Sequence, residues 1–188
     1  MGLEELWQLF PIILKEHNPV YTAWYNEEKA NLLQALCDYD VRRINHIGST
    51  SVCGLIAKPI VDILLELPHH YDMAVIIHLL QQNGWILMQK DEAQKTLDLN
   101  KGYTPSGFAE KVFHLHVKPL GDWGELYFRD YLREYPVVAR QYETLKQSLI
   151  MQFEHNRDAY TDAKSAFIIE YTEKARLEYE TRYLPPEH

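Results

Sequence analysis

The segment IVDILLEL at 60–67 constrains this chain most, because apolar and β-branched side chains of strand character enclose an aspartate, Asp62. An ionised carboxylate left alone in a buried strand is costly, so such a residue is normally paired or bound to a cation. Directly upstream, HIGSTSVCGLIAKP at 46–59 supplies Gly48, Ser49, Thr50, Ser51, Gly54 and Lys58. Glycine permits positive φ and close backbone approach. A Gly-Ser turn following a strand therefore offers N–H groups and a hydroxyl to a phosphate. The G-x-x-x-x-G-K-[ST] spacing of a P-loop is absent.

The remaining chain divides near residue 120. Upstream, helical spacing predicts helices over 26–38 and 72–83, the latter ended by Gly84. Extended segments are predicted over 41–47, 60–67, 85–89, 96–100 and 112–118, with 101–111 as a Gly- and Pro-containing loop or hairpin connection. Downstream, apolar and aromatic residues recur at helical spacing, with Thr161 or Asp162 as the expected cap of the last helix. The expectation is an α/β (α+β) fold. A mixed sheet, core about 20–120, carries packed helices and a helical C-terminal region of about 121–188, all in one domain spanning 1–188.

The 188 residues carry 19 Lys and Arg against 27 Asp and Glu, a formal charge of −8. That balance excludes a broad nucleic-acid surface, which needs clustered basic residues. Cys37 and Cys53 are too few and too separated for a disulfide scaffold, so a reducing cytoplasm is expected. No apolar run approaches the roughly 18 residues of a membrane span.

The Gly-Ser turn, its spacer and the aspartate-bearing strand resemble the signature of the nucleotidyltransferase superfamily. More closely, HIGSTSVCGLIAKPIVDI at 46–63 is similar to the GrpB-like family of that superfamily, as are YTAWYNEEKANL at 21–32, GFAEKVFHLHV at 107–117, YFRDYLREYP at 127–136 and YTDAK at 160–164. The resemblance covers nearly the whole chain. It implies a nucleotidyltransferase-like mixed sheet, with Ser49 at the nucleotide phosphates and Asp62 as the first metal-binding carboxylate.

One departure matters. The superfamily's second carboxylate belongs two residues after Asp62, where this chain has Leu64. Glu66 shares the face of Asp62 in a regular strand but lies roughly 13 Å along it. One cation, with ligands at about 2.0–2.2 Å, cannot span that gap without a bulge. His114 and His116 share a strand face, about 6.8 Å apart. They are candidate metal ligands with Asp62, or candidate acid and base groups. Asp98 is a further carboxylate if its strand neighbours that of Asp62. Lys58 stands ready for a triphosphate, and Arg129 and Arg133, at i,i+4, for an anion clamp or a surface network with Asp130 and Glu134.

Three functions remain open. The first is metal-dependent nucleotidyl transfer from a nucleoside triphosphate to an unknown acceptor, with Mg²⁺, or Mn²⁺ or Zn²⁺ if the histidines ligate. The second is a catalytically degenerate module binding a nucleotide or another phosphate-bearing small molecule, favoured by Leu64. The third is a metal-binding protein or hydrolase using the H-x-H pair.

Overall fold

A computed structural model describes residues 10–153 and 156–186. Helix α1 spans Val20–Ala35, and strand β1 (Arg43–Ile47) runs into a 3-10 turn at Ser49–Ser51. Strand β2 (Val61–Leu67), helix α2 (Met73–Gln82) and strands β3 (Ile86–Asp91), β4 (Thr96–Thr104) and β5 (Gly107–Pro119) follow. Helices α3 (Gly124–Glu134), α4 (Pro136–Phe153) and α5 (Arg157–Tyr179) close the sequence of elements. The strands form one sheet in the order β1-β2-β5-β4-β3, with β2 and β5 parallel and the other pairs antiparallel. The fold is therefore the expected mixed α/β sheet with packed helices. Among the described residues, no helix is long and apolar enough to cross a membrane.

The period-two alternation of β2 and β5 sorts the sheet into two chemistries. Val61, Ile63, Leu65 and Leu67 join Phe113, Leu115 and Val117 in a core sealed by Leu32 of α1 and Ile76 and Leu80 of α2. Asp72 caps α2, its carboxylate accepting the N–H groups of Ala74 at 2.9 Å and Val75 at 3.2 Å. The opposite face carries Asp62, Leu64 and Glu66 on β2, in register with His114, His116 and Lys118 on β5. There Leu64 is fully buried and packs with Ile47 and Leu126, the latter from α3.

Three boundaries differ from the sequence reading. The 101–111 segment is mostly strand: β4 and β5 continue to Thr104 and from Gly107, leaving Pro105 and Ser106 between them. Gly102 permits this close pairing, since a Cβ there would collide with the Lys111 carbonyl oxygen. Helix α1 begins at Val20 rather than 26. Helix α5 begins at Arg157, capped by Asn156, whose Oδ1 accepts the Ala159 N–H at 3.0 Å, and not by Thr161 or Asp162.

Candidate functional site

The turn after β1 presents its backbone and one side chain to a cavity of about 330 Å³. Gly48 has φ 68° and ψ −176°, a conformation that side chains with a Cβ rarely adopt. The Asp62 carboxylate fills the space where that Cβ would stand. Within the turn, Ser51 Oγ donates to the Gly48 carbonyl at 2.6 Å. Thr50 Oγ1 donates to the Ile60 carbonyl at 3.0 Å, so it accepts from His46 Nε2, also at 3.0 Å. Burial lowers the His46 pKa to about 4, which keeps the ring neutral. The hydroxyls of Thr50 and Ser51 thus hold the turn together, and the Ser49 hydroxyl is the one turned toward Lys146 Nζ, at 3.2 Å.

Asp62 and the two histidines lie on neighbouring parallel strands of the sheet. His114 Nδ1 is 3.2 Å from Asp62 Oδ1, and the other ring nitrogen, Nε2, is 2.7 Å from the Tyr103 hydroxyl. With Asp62 ionised, Nδ1–H donates to the carboxylate, and Nε2 meets the Tyr103 hydroxyl. Both nitrogens of His114 are engaged, so it orients Asp62 rather than offering a lone pair beside it. Two residues along β5, His116 Nδ1 is 2.6 Å from Asp98 Oδ1 on β4, which leaves Nε2 as the nitrogen without a hydrogen-bond partner among the described residues. Asp98 pairs with His116 in the β4–β5 register, so its strand adjoins β5 rather than β2.

Electrostatics reinforce these pairs. Burial works to raise the Asp62 pKa, but the hydrogen bond and charge of His114, with His116 and Lys58, hold it below the usual carboxylate value. The hydrogen bond from His116 likewise holds Asp98 low. Burial works to lower His116, yet the Asp98 hydrogen bond and the charges of Asp62 and Asp98 lift it above an ordinary histidine.

Across the cavity, α4 and α5 supply residues that sequence reasoning passed over. Lys146 is 2% exposed, and its ammonium donates to Ser49 and to the Ile56 carbonyl and lies 4.8 Å from the Tyr142 ring centroid. Burial, with the charge of Lys164, lowers its pKa to about 7. Tyr160 is fully buried, its hydroxyl has no hydrogen-bond partner among the described residues, and Lys164 and Lys58 stand 4.5 and 5.5 Å from its ring centroid. The signal for Lys146 was present in helical phase: it lies four residues after Tyr142 and three before Leu149, both buried.

Other expected site residues sit elsewhere. Glu66 is fully buried and accepts Arg43 Nε at 2.8 Å, Arg43 Nη2 at 2.7 Å and the Gly121 N–H at 3.1 Å. Its oxygens are thereby occupied, and no bulge in the β1–β2 or β2–β5 register carries it toward Asp62. Arg129 donates to Asp130, Asn45, the His46 carbonyl and Tyr183, and Arg133 donates twice to the Ser51 carbonyl. The two arginines brace β1 and the turn from behind instead of forming an anion clamp. Lys111 pairs with Glu27 and Lys118 with Glu125.

Among the described residues, no three His, Cys, Asp or Glu side chains stand together as metal ligands. A divalent ion at this site would rest on Asp62 and complete its shell from phosphate oxygens and water, a common manner of holding Mg²⁺. The donor set fits that mode of binding better than a cage made by the protein alone.

The family model described as "GrpB protein" matches residues 11–174. The chain is 30% identical over 163 residues to the glutamate-rich protein GrpB of Alkalihalophilus pseudofirmus, covering 85% of this chain and 92% of that one. It is 36% identical over 126 residues to the UPF0157 protein PA4798 of Pseudomonas aeruginosa, covering 66% of this chain and about half, 52%, of that relative's length. The crystal structure of the conserved protein GrpB from Enterococcus faecalis superposes with a TM-score of 0.78 at 30% identity, covering 89% of this chain and 99% of that one.

Proposed function

This chain belongs to the GrpB family, and we propose that its cavity binds a nucleoside triphosphate with a divalent ion and transfers the nucleotidyl group to an acceptor hydroxyl. The observation that carries this reading is the placement of Lys146. Among the described residues its buried ammonium makes no ion pair; it faces the Ser49 hydroxyl and shares a cavity with Lys58, Lys164, Asp62 and His116. A buried cation without a carboxylate is unfavourable unless a ligand supplies the charge. A polyphosphate supplies it, and the Tyr160 hydroxyl, without a partner among the described residues, adds a donor in the same cavity.

In this reading, the lysines, Ser49 and the turn backbone orient the phosphates, which is the main way proteins promote phosphoryl and nucleotidyl transfer. Asp62, kept ionised and aimed by His114, holds the ion, which when bound neutralises charge on the phosphate oxygens. His116 Nε2, with Asp98 fixing its tautomer through Nδ1, takes the proton of the attacking hydroxyl. The new phosphoester bond forms at the α-phosphorus as the bond to pyrophosphate breaks.

Leu64 favours a second reading, a module that binds the same ligand without chemistry. The position of the superfamily's second carboxylate is dry, filled by Leu64 against Ile47 and Leu126.

Calorimetric titration of metal-free protein with ATP, CTP, GTP and UTP, with and without Mg²⁺, tests the binding shared by both readings. Binding of at least one nucleotide, tightened by Mg²⁺ and weakened about tenfold or more in Ser49→Ala and Lys146→Met, is expected. Absence of binding to all four would end both readings. Incubation with the bound nucleotide and candidate hydroxyl acceptors separates them, because only the enzyme releases pyrophosphate.

A further inference from the structure

A second cavity, of about 460 Å³, lies beside the phosphate site and shares Lys58 and Ile60 with it. Its walls come from the segment before α1, from α1 and from β5, and they are mainly apolar: Ile12, Tyr21, Trp24, Phe108 and Val112. A volume of several hundred Å³, apolar walls and a few polar groups are the ordinary attributes of a small-molecule site. The walls are fixed in place. Lys15 and Ala57 exchange backbone hydrogen bonds of 2.8 and 3.0 Å, which ties the entering segment to the loop before β2.

The aromatic rings have a definite arrangement. Tyr21 and Trp24 meet edge to face at 5.7 Å, and Phe108 packs against Phe10 at 4.9 Å and Tyr103 at 5.2 Å. Tyr103 in turn stacks on His114 at 5.9 Å and hydrogen-bonds it, so this wall is continuous with the ring that orients Asp62. Tyr21 is only 3% exposed. The charged groups lining the cavity are Lys15, Lys58 and Glu110, two cations against one anion.

We propose that this cavity binds a ring-bearing organic anion, with its ring among Tyr21, Trp24 and Phe108 and its charge beside Lys15 and Lys58. Given the phosphate reading of the adjoining cavity, on which this step rests, that anion is the acceptor, delivered past Lys58 toward the nucleotide. A small metabolite carrying an aromatic ring and a carboxylate or phosphate fits that description.

The test uses 2-naphthoate as the ring-bearing anion and 2-naphthylmethylammonium as its cationic counterpart, each titrated into the full chain by calorimetry. Naphthoate is expected to bind at least about tenfold more tightly than the cation. Ala109→Trp, which fills the cavity from its exposed rim, and Lys15→Met, which spares the backbone bridge to Ala57, should each weaken naphthoate about tenfold and leave ATP affinity within about twofold. No naphthoate binding, equal binding of the cation, or undiminished binding in both variants overturns the proposal. Naphthoate binding with the expected losses, but no binding of any nucleotide, keeps the second cavity and removes the phosphate reading of the first.

Discussion

The Asp62 carboxylate lies against the α-carbon of Gly48, so that a Cβ added there would fall within contact distance of Asp62 Oδ2 and 3.0 Å from Cγ. Two requirements therefore converge on one glycine: a backbone at φ 68°, and room for the side chain that anchors the site. The strand and the turn are fitted to each other through this contact.

Gly48→Ala tests that fit. Holding a Cβ in this backbone region costs on the order of 1–3 kcal/mol, and Asp62 must also move. Urea denaturation should show a loss of about that size. Nucleotide titration should show that the Mg²⁺-dependent part of binding disappears while a weaker metal-free part survives. A variant that keeps full Mg²⁺ dependence would mean that the position of Asp62 is not set by the turn.

Arg43 and Glu66 form an ion pair in which the carboxylate is fully buried and the guanidinium side chain is 25% exposed. Removing one partner of such a pair leaves an uncompensated buried charge, at a cost of about 3–5 kcal/mol. Arg43→Met should lower stability by about that amount in urea, and Arg43→Met with Glu66→Leu should recover most of it. Nucleotide affinity in the double variant should equal that of the parent. A large loss of affinity there would return Glu66 to the binding site.

Lys146 makes folding depend on pH. Its pKa is about 7 in the fold and 10.5 ordinarily, so between those values the unfolded chain binds more protons than the folded one. Stability contributed at this position therefore rises with pH from about 7 toward 10.5, by up to roughly 1.4 kcal/mol per pH unit. Lys146→Met lacks that rise. Urea midpoints at pH 6, 7.5 and 9 should show the variant gaining most over the parent at pH 6 and losing that advantage as pH increases. A parent-to-variant difference that stays constant with pH would show that the ammonium is solvated.

The sheet was legible because β1, β2 and the second half of β5 announce themselves by β-branched runs and strict alternation. The length of the hairpin arms across 101–111 was not, because Gly102, Pro105 and Gly107 signal a loop locally, whereas register with the neighbouring strand extends both arms. In the site, Gly48, Ser49, Asp62 and the H-L-H pair could be found by spacing. The pairing of Asp98 with His116 could not, since it depends on β4 lying next to β5. Nor could the fate of Arg129 and Arg133: their i,i+4 spacing reports a shared helix face, and only the packing of α3 against β1 determines that this face meets backbone carbonyls. Lys146 was obscured by its company, since it stands beside Gln147 and Ser148 on an amphipathic helix and reads there as one more solvated polar residue.

Asp62→Asn addresses the central residue. An unpaired buried carboxylate would be a burden, and its removal would stabilise the metal-free protein. The geometry predicts the opposite, because His114 donates to Asp62 Oδ1 and the folded pKa lies below the ordinary carboxylate value. A group of that kind contributes stability that is present above its unfolded pKa, about 3.9, and is lost as pH falls through the lower folded value. The metal-free Asn variant should therefore be less stable than the parent near pH 7, and the two should converge as pH drops from about 5 to 2. Tyr103→Phe removes only the hydroxyl at His114 Nε2, at a cost of about 0.5–1.5 kcal/mol. It should retain Mg²⁺-dependent nucleotide binding, which Asp62→Asn should abolish. If the Asn variant is the more stable protein at neutral pH, His114 does not hold the carboxylate, and the imidazole must be assigned to another task.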